Sequence, residues 1–188
     1  MTLSILIPSA TEPNILKMIT ETEKLFPEAQ IIIANDRYRK GKGWAIREAL
    51  SQATGENIVF IDGDMDIHPR VIRRMLPLLK SYDIVVGKKE TKAMLSRHIL
   101  TILSRIYIWF VFRIPVDTQT GVKAFKRRAI PSWETDSFAF DIEILSKAKN
   151  NGCSMVEVPV RAERTKRMAA RSILHTLLES FKVWRRVR

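Results

Sequence analysis

Two spacings of apolar residues alternate along this chain, and together they predict most of its elements. Leu3 to Ile7 is a short apolar run closed by Pro8, which reads as a first strand. From Asn14 to about Lys24 the apolar residues Ile15, Met18 and Ile19, with Leu25 just beyond, fall at roughly helical spacing. Ile31-Ile32-Ile33 is a second strand running into Asn35-Asp36. Gly41-Lys42-Gly43 breaks the chain before a helix that turns Trp44, Ile46, Ala49 and Leu50 inward. The β-branched run starting at Ile58 reads as a buried strand, followed by a helix from about Pro69 to Lys80 and a strand from Asp83 to Val86. This β-α-β order predicts an α/β fold, with a mainly parallel sheet covered by helices on both faces.

The second half is less regular. Residues 93–112 form a long apolar helix interrupted by Arg97, His98 and Arg105. Its most apolar part, IYIWFVF, is far shorter than the roughly 20 residues a membrane span needs. Thr118 to Gly121 is a turn, Val122 to Phe125 a short strand, Phe140 to Lys149 a helix, and Met155 to Val160 a strand after Gly152. From Met168 to Trp184 the residues Ile173, Leu174, Leu177, Leu178, Phe181 and Trp184 share one helical face flanked by basic residues. Such a helix suits either core packing or a membrane interface. The division expected is a domain over residues 1–167 and a basic amphipathic helix over 168–188.

Bulk properties narrow the classes. At 188 residues and 46% hydrophobic content the chain is long enough for one substantial core. A lone Cys153 excludes an internal disulfide framework and fits a reducing compartment. MTLSILIPS lacks a basic leader and reads as a strand rather than a signal peptide. The net charge of +12 favours a polyanionic partner such as anionic lipid or phosphorylated substrate. Residues 161–188 concentrate it, with nine Lys or Arg against Glu163 and Glu179. A nucleic-acid-binding module is the rival that charge permits, but no recognition helix, zinc spacing or aromatic-interleaved basic strand supports it.

The most informative stretch is IVFIDGDMDIHP, residues Ile58 to Pro69, where the strand meets Asp62, Asp64 and Asp66 at alternate positions. The C-terminal ends of strands are where open α/β sheets bind ligands. Three carboxylates crowded there call for a hard divalent cation or a cationic group. The alternative is a polar loop capping the next helix. Side chains at alternate positions converge only while the backbone stays extended, and a local turn would separate them. His68 suits a helix-start role.

Taken in order, these segments resemble the family 2 glycosyltransferases, and within them the dolichyl- and polyprenyl-phosphate mannose or glucose synthases. LSILIPSATEPNI is similar to the family's opening strand, and IIIAND to the strand ending in an acidic residue that faces the nucleotide base. KGKGWAIREAL resembles its Gly-Lys-Gly helix start, and IDGDMDIHP its metal-binding stretch Asp-Ala-Asp-Leu-Gln-His-Pro-Pro. DTQTGVKAF is close to the segment Asp-Thr-Gln-Cys-Gly-Phe-Lys of the glucose synthases, and FAFDIEIL with VEVPV matches the family's next segment. The likeness runs from about residue 3 to 167. Asp66 stands where many members carry Gln, and Val122 where Phe is usual. Only four residues separate Asp36 from Gly41, where the family has a helix and another strand, so the first half is trimmed.

The resemblance implies a GT-A type nucleotide-diphospho-sugar transferase fold. It implies an inverting, metal-dependent transfer of a hexose from a donor of the GDP-mannose or UDP-glucose type to a polyprenyl phosphate. Mg²⁺ or Mn²⁺ would be held by Asp64, Asp66 and Asp62, and Asp64 and Asp141 are the catalytic candidates. Pro8, Glu12, Asp36, Lys42 and Asp62 would bind the nucleotide, while Arg164, Lys166 and Arg167 would close over the diphosphate. Ser96, Arg97 and Asp117 would meet the acceptor. Location at the cytoplasmic face of a membrane is expected, peripherally and with room for a separate anchoring protein. A transferase acting on a soluble acceptor is the second reading.

Overall fold

The computed structural model describes residues 2–9, 13–90, 107–162 and 170–187. Among them, six strands form one sheet: β1 Leu3–Ser9, β2 Gln30–Asn35, β3 Asn57–Ile61, β4 Ile84–Lys89, β5 Val122–Lys126 and β6 Met155–Val160. Their order is β2-β1-β3-β5-β4-β6, and β5 runs against both of its neighbours. β1, β2 and β3 pair in parallel, as do β4 and β6. The mainly parallel sheet expected from the sequence is therefore present, with a reversed strand in its middle.

The helices are α1 Ile15–Leu25, α2 Lys42–Gln52, α3 Ile72–Met75, α4 Phe140–Asn150 and α5 Ala170–Val187, and residues 107–112 are also helical. Alternate strand residues feed two cores, one on each face. Leu6, Ile58, Phe60, Val86 and Phe125 pack with Ile46 of α2, Phe140 and Leu145 of α4 and Val183 of α5. Ile5, Ile7, Val59, Ile61 and Val85 pack with Met18 of α1 and Ile72 and Met75 of α3. The helix expected over 69–80 is instead α3 between two tighter 3₁₀ turns, Pro69–Val71 and Leu76–Lys80. Pro77 explains the break, since it has no N–H for an α-helical bond and its ring crowds the preceding turn. His68 caps the first of these turns by accepting from the Arg70 amide at 3.2 Å, the helix-start role expected of it.

β1 runs through Pro8 to Ser9 rather than stopping at the proline. Its register with β3 ends at Leu6 opposite Phe60, so Pro8 pairs only toward β2 and its missing N–H is tolerated. Among the described residues no helix is long and apolar enough to cross a membrane. Most of the long apolar helix expected over 93–112 lies outside the described residues, as do the side chains of Ile173, Leu174, Leu177 and Leu178.

Candidate active site

The ends of β1, β2, β3, β4 and β6 and the beginning of β5 share one edge of the sheet, and the chemistry-bearing residues collect there. β3 stops at Ile61, and residues 62–67 turn away from the sheet instead of continuing it. Met65 adopts φ 61, a left-handed conformation that reverses the chain between Asp64 and Asp66. The Asp64 carboxylate accepts the Asp66 amide at 3.0 Å, and Asn14 at the start of α1 donates to the Asp64 carbonyl at 3.1 Å. Gly63 packs closely here, and a Cβ would crowd the tip of Ile15 and the Pro8 carbonyl. Convergence of Asp62, Asp64 and Asp66 as an extended trio is thus corrected by the turn. Among the described residues no three His, Cys, Asp or Glu side chains are gathered as a ready cation cage.

Each outer carboxylate instead has an ammonium group. Lys42, in the first turn of α2, meets Asp62 at 2.6 Å, and Lys89, at the end of β4, meets Asp66 at 2.6 Å. Burial works against the Lys42 charge, but Asp62, Asp141 and Asp64 outweigh it and hold its pKa above the ordinary lysine value. Phe140 adds a ring face 5.7 Å from the same ammonium. On the far side of Asp62 stands Gly121, where any Cβ would overlap the carboxylate, and the Asp62 amide donates to the Gly121 carbonyl at 2.9 Å.

Asp141 sits in the first turn of α4, where a helix N-terminus favours a negative charge. Its partner is Lys123 of β5 at 3.0 Å, a lysine whose side chain is 3% exposed and which also donates to the Thr120 carbonyl at 2.7 Å. That contact ties the start of α4 to β5. Asp117 is buried and organises the turn before β5, with its carboxylate accepting the Gln119 amide at 2.9 Å and its own amide donating to Glu157 at 2.8 Å.

Asp36 closes the short connection from β2 to α2. Its two oxygens accept the amides of Lys40 and Gly41, both at 2.8 Å. Gly41 has φ 122, and a side chain there would strike the Asp136 carbonyl, so the turn depends on glycine. The trimmed first half expected from the sequence is what the structure shows: residues 36–41 alone join β2 to α2, and β2 is an edge strand. Beside this turn, Tyr38 and Trp44 meet edge to face at 5.5 Å, with the Lys40 ammonium 5.1 Å from the Trp44 ring. Pro8 lies in β1 at the same edge. Glu12, Ser96, Arg97, Arg164, Lys166 and Arg167 lie outside the described residues.

Sequence reasoning missed Lys89, Lys123 and Gly121. Lys123 left a signal, because a lysine inside the apolar strand VKAF is costly to bury unless it is paired. Lys89 and Gly121 left none, since both act through partners distant in sequence.

Apart from the charged edge, a groove of about 310 Å³ is lined by Tyr107, Phe110, Val111, Phe181 and Trp184. Phe110 is 75% exposed, Trp109 61% and Phe181 56%. Phe181 and Trp184 stack at 5.7 Å, and the Tyr107 hydroxyl lies 3.1 Å from that of Ser180, joining 107–112 to α5.

Likeness to known proteins decides the family. The profile of Glycosyl transferase family 2 matches residues 4–123. The chain belongs to that family. It is 31% identical over 141 residues to a dolichyl-phosphate beta-glucosyltransferase of Drosophila melanogaster, covering 65% of this chain and 43% of that protein. A protein of the same description from Dictyostelium discoideum is 24% identical over 174 residues, covering 83% of this chain and 53% of its own length. The chain therefore spans about half the length of these relatives. Among solved structures, glucosyl-3-phosphoglycerate synthase from Mycobacterium tuberculosis, in complex with Mn²⁺, UDP-glucose and phosphoglyceric acid, superposes with a TM-score of 0.77. That match is 14% identical and covers 97% of this chain and 78% of the synthase. The fold is the GT-A type.

Proposed function

We propose that this chain transfers a hexose from a nucleotide diphosphate sugar to a polyprenyl phosphate of the dolichyl type, with inversion and with a divalent cation. The observation that carries this reading is the acidic turn after β3, bracketed by Lys42 and Lys89, on a family 2 chain similar to dolichyl-phosphate beta-glucosyltransferases.

The donor set fits Mg²⁺ or Mn²⁺. Hard carboxylate oxygens from Asp64, Asp66 and Asp62 suit such an ion, and Mg²⁺ characteristically takes one or two carboxylates plus substrate phosphates, so no closed cage is needed. The solved synthase similar in fold carries Mn²⁺ with its sugar nucleotide. Bound there, the cation supplies Lewis-acid neutralisation of the leaving diphosphate. Lys42 then offers a partly buried ammonium to the diphosphate, with Arg164, Lys166 and Arg167 proposed to close over it. Pro8, Glu12 and the turn held by Asp36 frame the nucleoside. Asp141, fixed by Lys123, holds the sugar end of the site in place rather than removing a proton.

A phosphate monoester already presents ionised oxygen at neutral pH, so no strong general base is required. Its oxygen forms the new bond to the anomeric carbon as the bond to the diphosphate breaks, which inverts the centre. Ser96, Arg97 and Asp117 are assigned to the acceptor. The exposed Trp109, Phe110 and Phe181, with Arg113, Lys182 and Arg185 exposed nearby in sequence, support peripheral contact with an anionic membrane surface on the cytoplasmic side.

Calorimetric titration of UDP-glucose and GDP-mannose, with and without Mn²⁺, followed by addition of a short polyprenyl phosphate, tests the reading. One donor should bind in a Mn²⁺-dependent manner and yield a lipid-linked hexose. Binding of neither donor would overturn it, and turnover only with a soluble phosphorylated acceptor would replace the lipid with that acceptor.

A further inference from the structure

The acidic edge already carries cations of its own where a divalent ion would have to enter. Lys42 reaches Asp62 from α2 and Lys89 reaches Asp66 from the end of β4, each at 2.6 Å, so the two pairs bracket Asp64 from different elements. Lys123 adds a third ammonium, on Asp141 at 3.0 Å. Among the described residues, Asp62, Asp66 and Asp141 are thus each paired with an ammonium group. The turn that separates the aspartates leaves no three-acid cage among the described residues.

A lone divalent ion entering this edge would press two positive charges against Lys42 and Lys89. The same ion arriving with a diphosphate brings its own counter-charge, and the phosphate oxygens offer both lysines new partners. We propose that Lys42 and Lys89 are resident counter-ions that keep the acidic turn from holding a divalent cation alone, and so couple cation binding to binding of the nucleotide diphosphate. The inference rests on the function proposed above, but it concerns the order in which the ligands load.

The test is Mn²⁺ binding by the 188-residue chain, read from the resonance signal of free Mn²⁺, without nucleotide and with UDP or GDP. The variants are Lys42→Met, Lys89→Met and Lys42→Arg. Wild-type protein should bind Mn²⁺ at least about tenfold more tightly with nucleotide than without it. Each methionine variant should bind Mn²⁺ alone about tenfold more tightly than wild type and lose most of the gain from nucleotide. Lys42→Arg keeps the charge and should restore weak binding of Mn²⁺ alone. A lysine with a merely structural role would leave the metal-only affinity unchanged or lower, and either result in the methionine variants overturns the inference while leaving the proposed function standing. Wild-type protein that binds neither nucleotide in the presence of Mn²⁺ overturns the function itself. Should Lys42→Met not fold, Lys89→Met decides, because its side chain lies at a half-exposed strand end.

Discussion

The sheet has a charged cluster at each end, built from the same side chains to different effect. At the rear, Asp83 is saturated: the Ser154 amide and hydroxyl donate to it at 3.1 and 2.8 Å, and Lys126 and Arg128 approach at 3.2 and 3.3 Å. These contacts tie the start of β4 to the start of β6 and the end of β5. The hydrogen bonds from Ser154 hold the Asp83 carboxyl well below the usual carboxylate range. At the front, Lys42 and Lys89 each donate to a carboxylate, Asp62 and Asp66, and on the function proposed above a phosphate oxygen can take the carboxylate's place. The rear cluster spends its donors on the fold, while the front keeps them exchangeable, and exchangeable pairing is what a ligand site needs.

Mutations should separate the two ends. Asp64→Asn keeps the oxygen that accepts the Asp66 amide but removes the charge, so sugar transfer should fall roughly 1000-fold with the melting temperature nearly unchanged. A variant that retains transfer within about tenfold would remove Asp64 from the chemistry. Next in size is Glu143→Ala in α4. The Glu143 carboxylate is wholly buried and accepts from the Glu134 and Thr135 amides, the Thr135 hydroxyl and Lys147, contacts that outweigh burial and keep its pKa low. Its removal leaves those donors without a partner and should cost about 3 kcal/mol in urea unfolding.

Asp83→Asn should cost about 1–2 kcal/mol. Because the folded-state pKa of Asp83 is depressed, its contribution is present above the unfolded value near 3.9 and is lost as pH falls below about 4. Wild-type stability should therefore drop on acidification through that range, and Asp83→Asn should flatten the slope. The smallest effect is expected from Gly121→Ala. Its new methyl group displaces the Asp62 carboxylate, and the KM for the sugar nucleotide should rise about tenfold while the unfolding transition moves little. A large loss of stability with unchanged KM would assign Gly121 to the rear cluster's kind of role.

The strands were legible because their apolar runs are short, β-branched and bounded by turn residues: β6 falls on Met155–Val160 as expected, and β5 extends the expected run by one residue. Reversal of β5 was not legible, since direction is set by which neighbours a strand finds. The acidic turn was visible as a motif, but its shape was not. Nothing in IDGDMDIHP announces the left-handed Met65, which decides that the three carboxylates part. Lys89 escaped for a related reason, as an ion pair between a strand end and a turn depends on register, whereas Lys123 was announced by its place in an apolar strand. The single helix expected over 69–80 ignored Pro77, a residue whose effect was readable from the outset.

The reversed strand has one more consequence. β4 finishes and β5 begins on the same rim, so the whole stretch from Glu90 to Gly121 leaves and rejoins the scaffold at neighbouring points. Its described part is tied to the scaffold on both sides, since Ile108, Phe112, Ile114 and Val116 pack into the core and the Gly121 carbonyl accepts the Asp62 amide. A change of sequence at the returning end of this stretch is therefore felt directly by the acidic turn after β3, through Gly121 and Asp62.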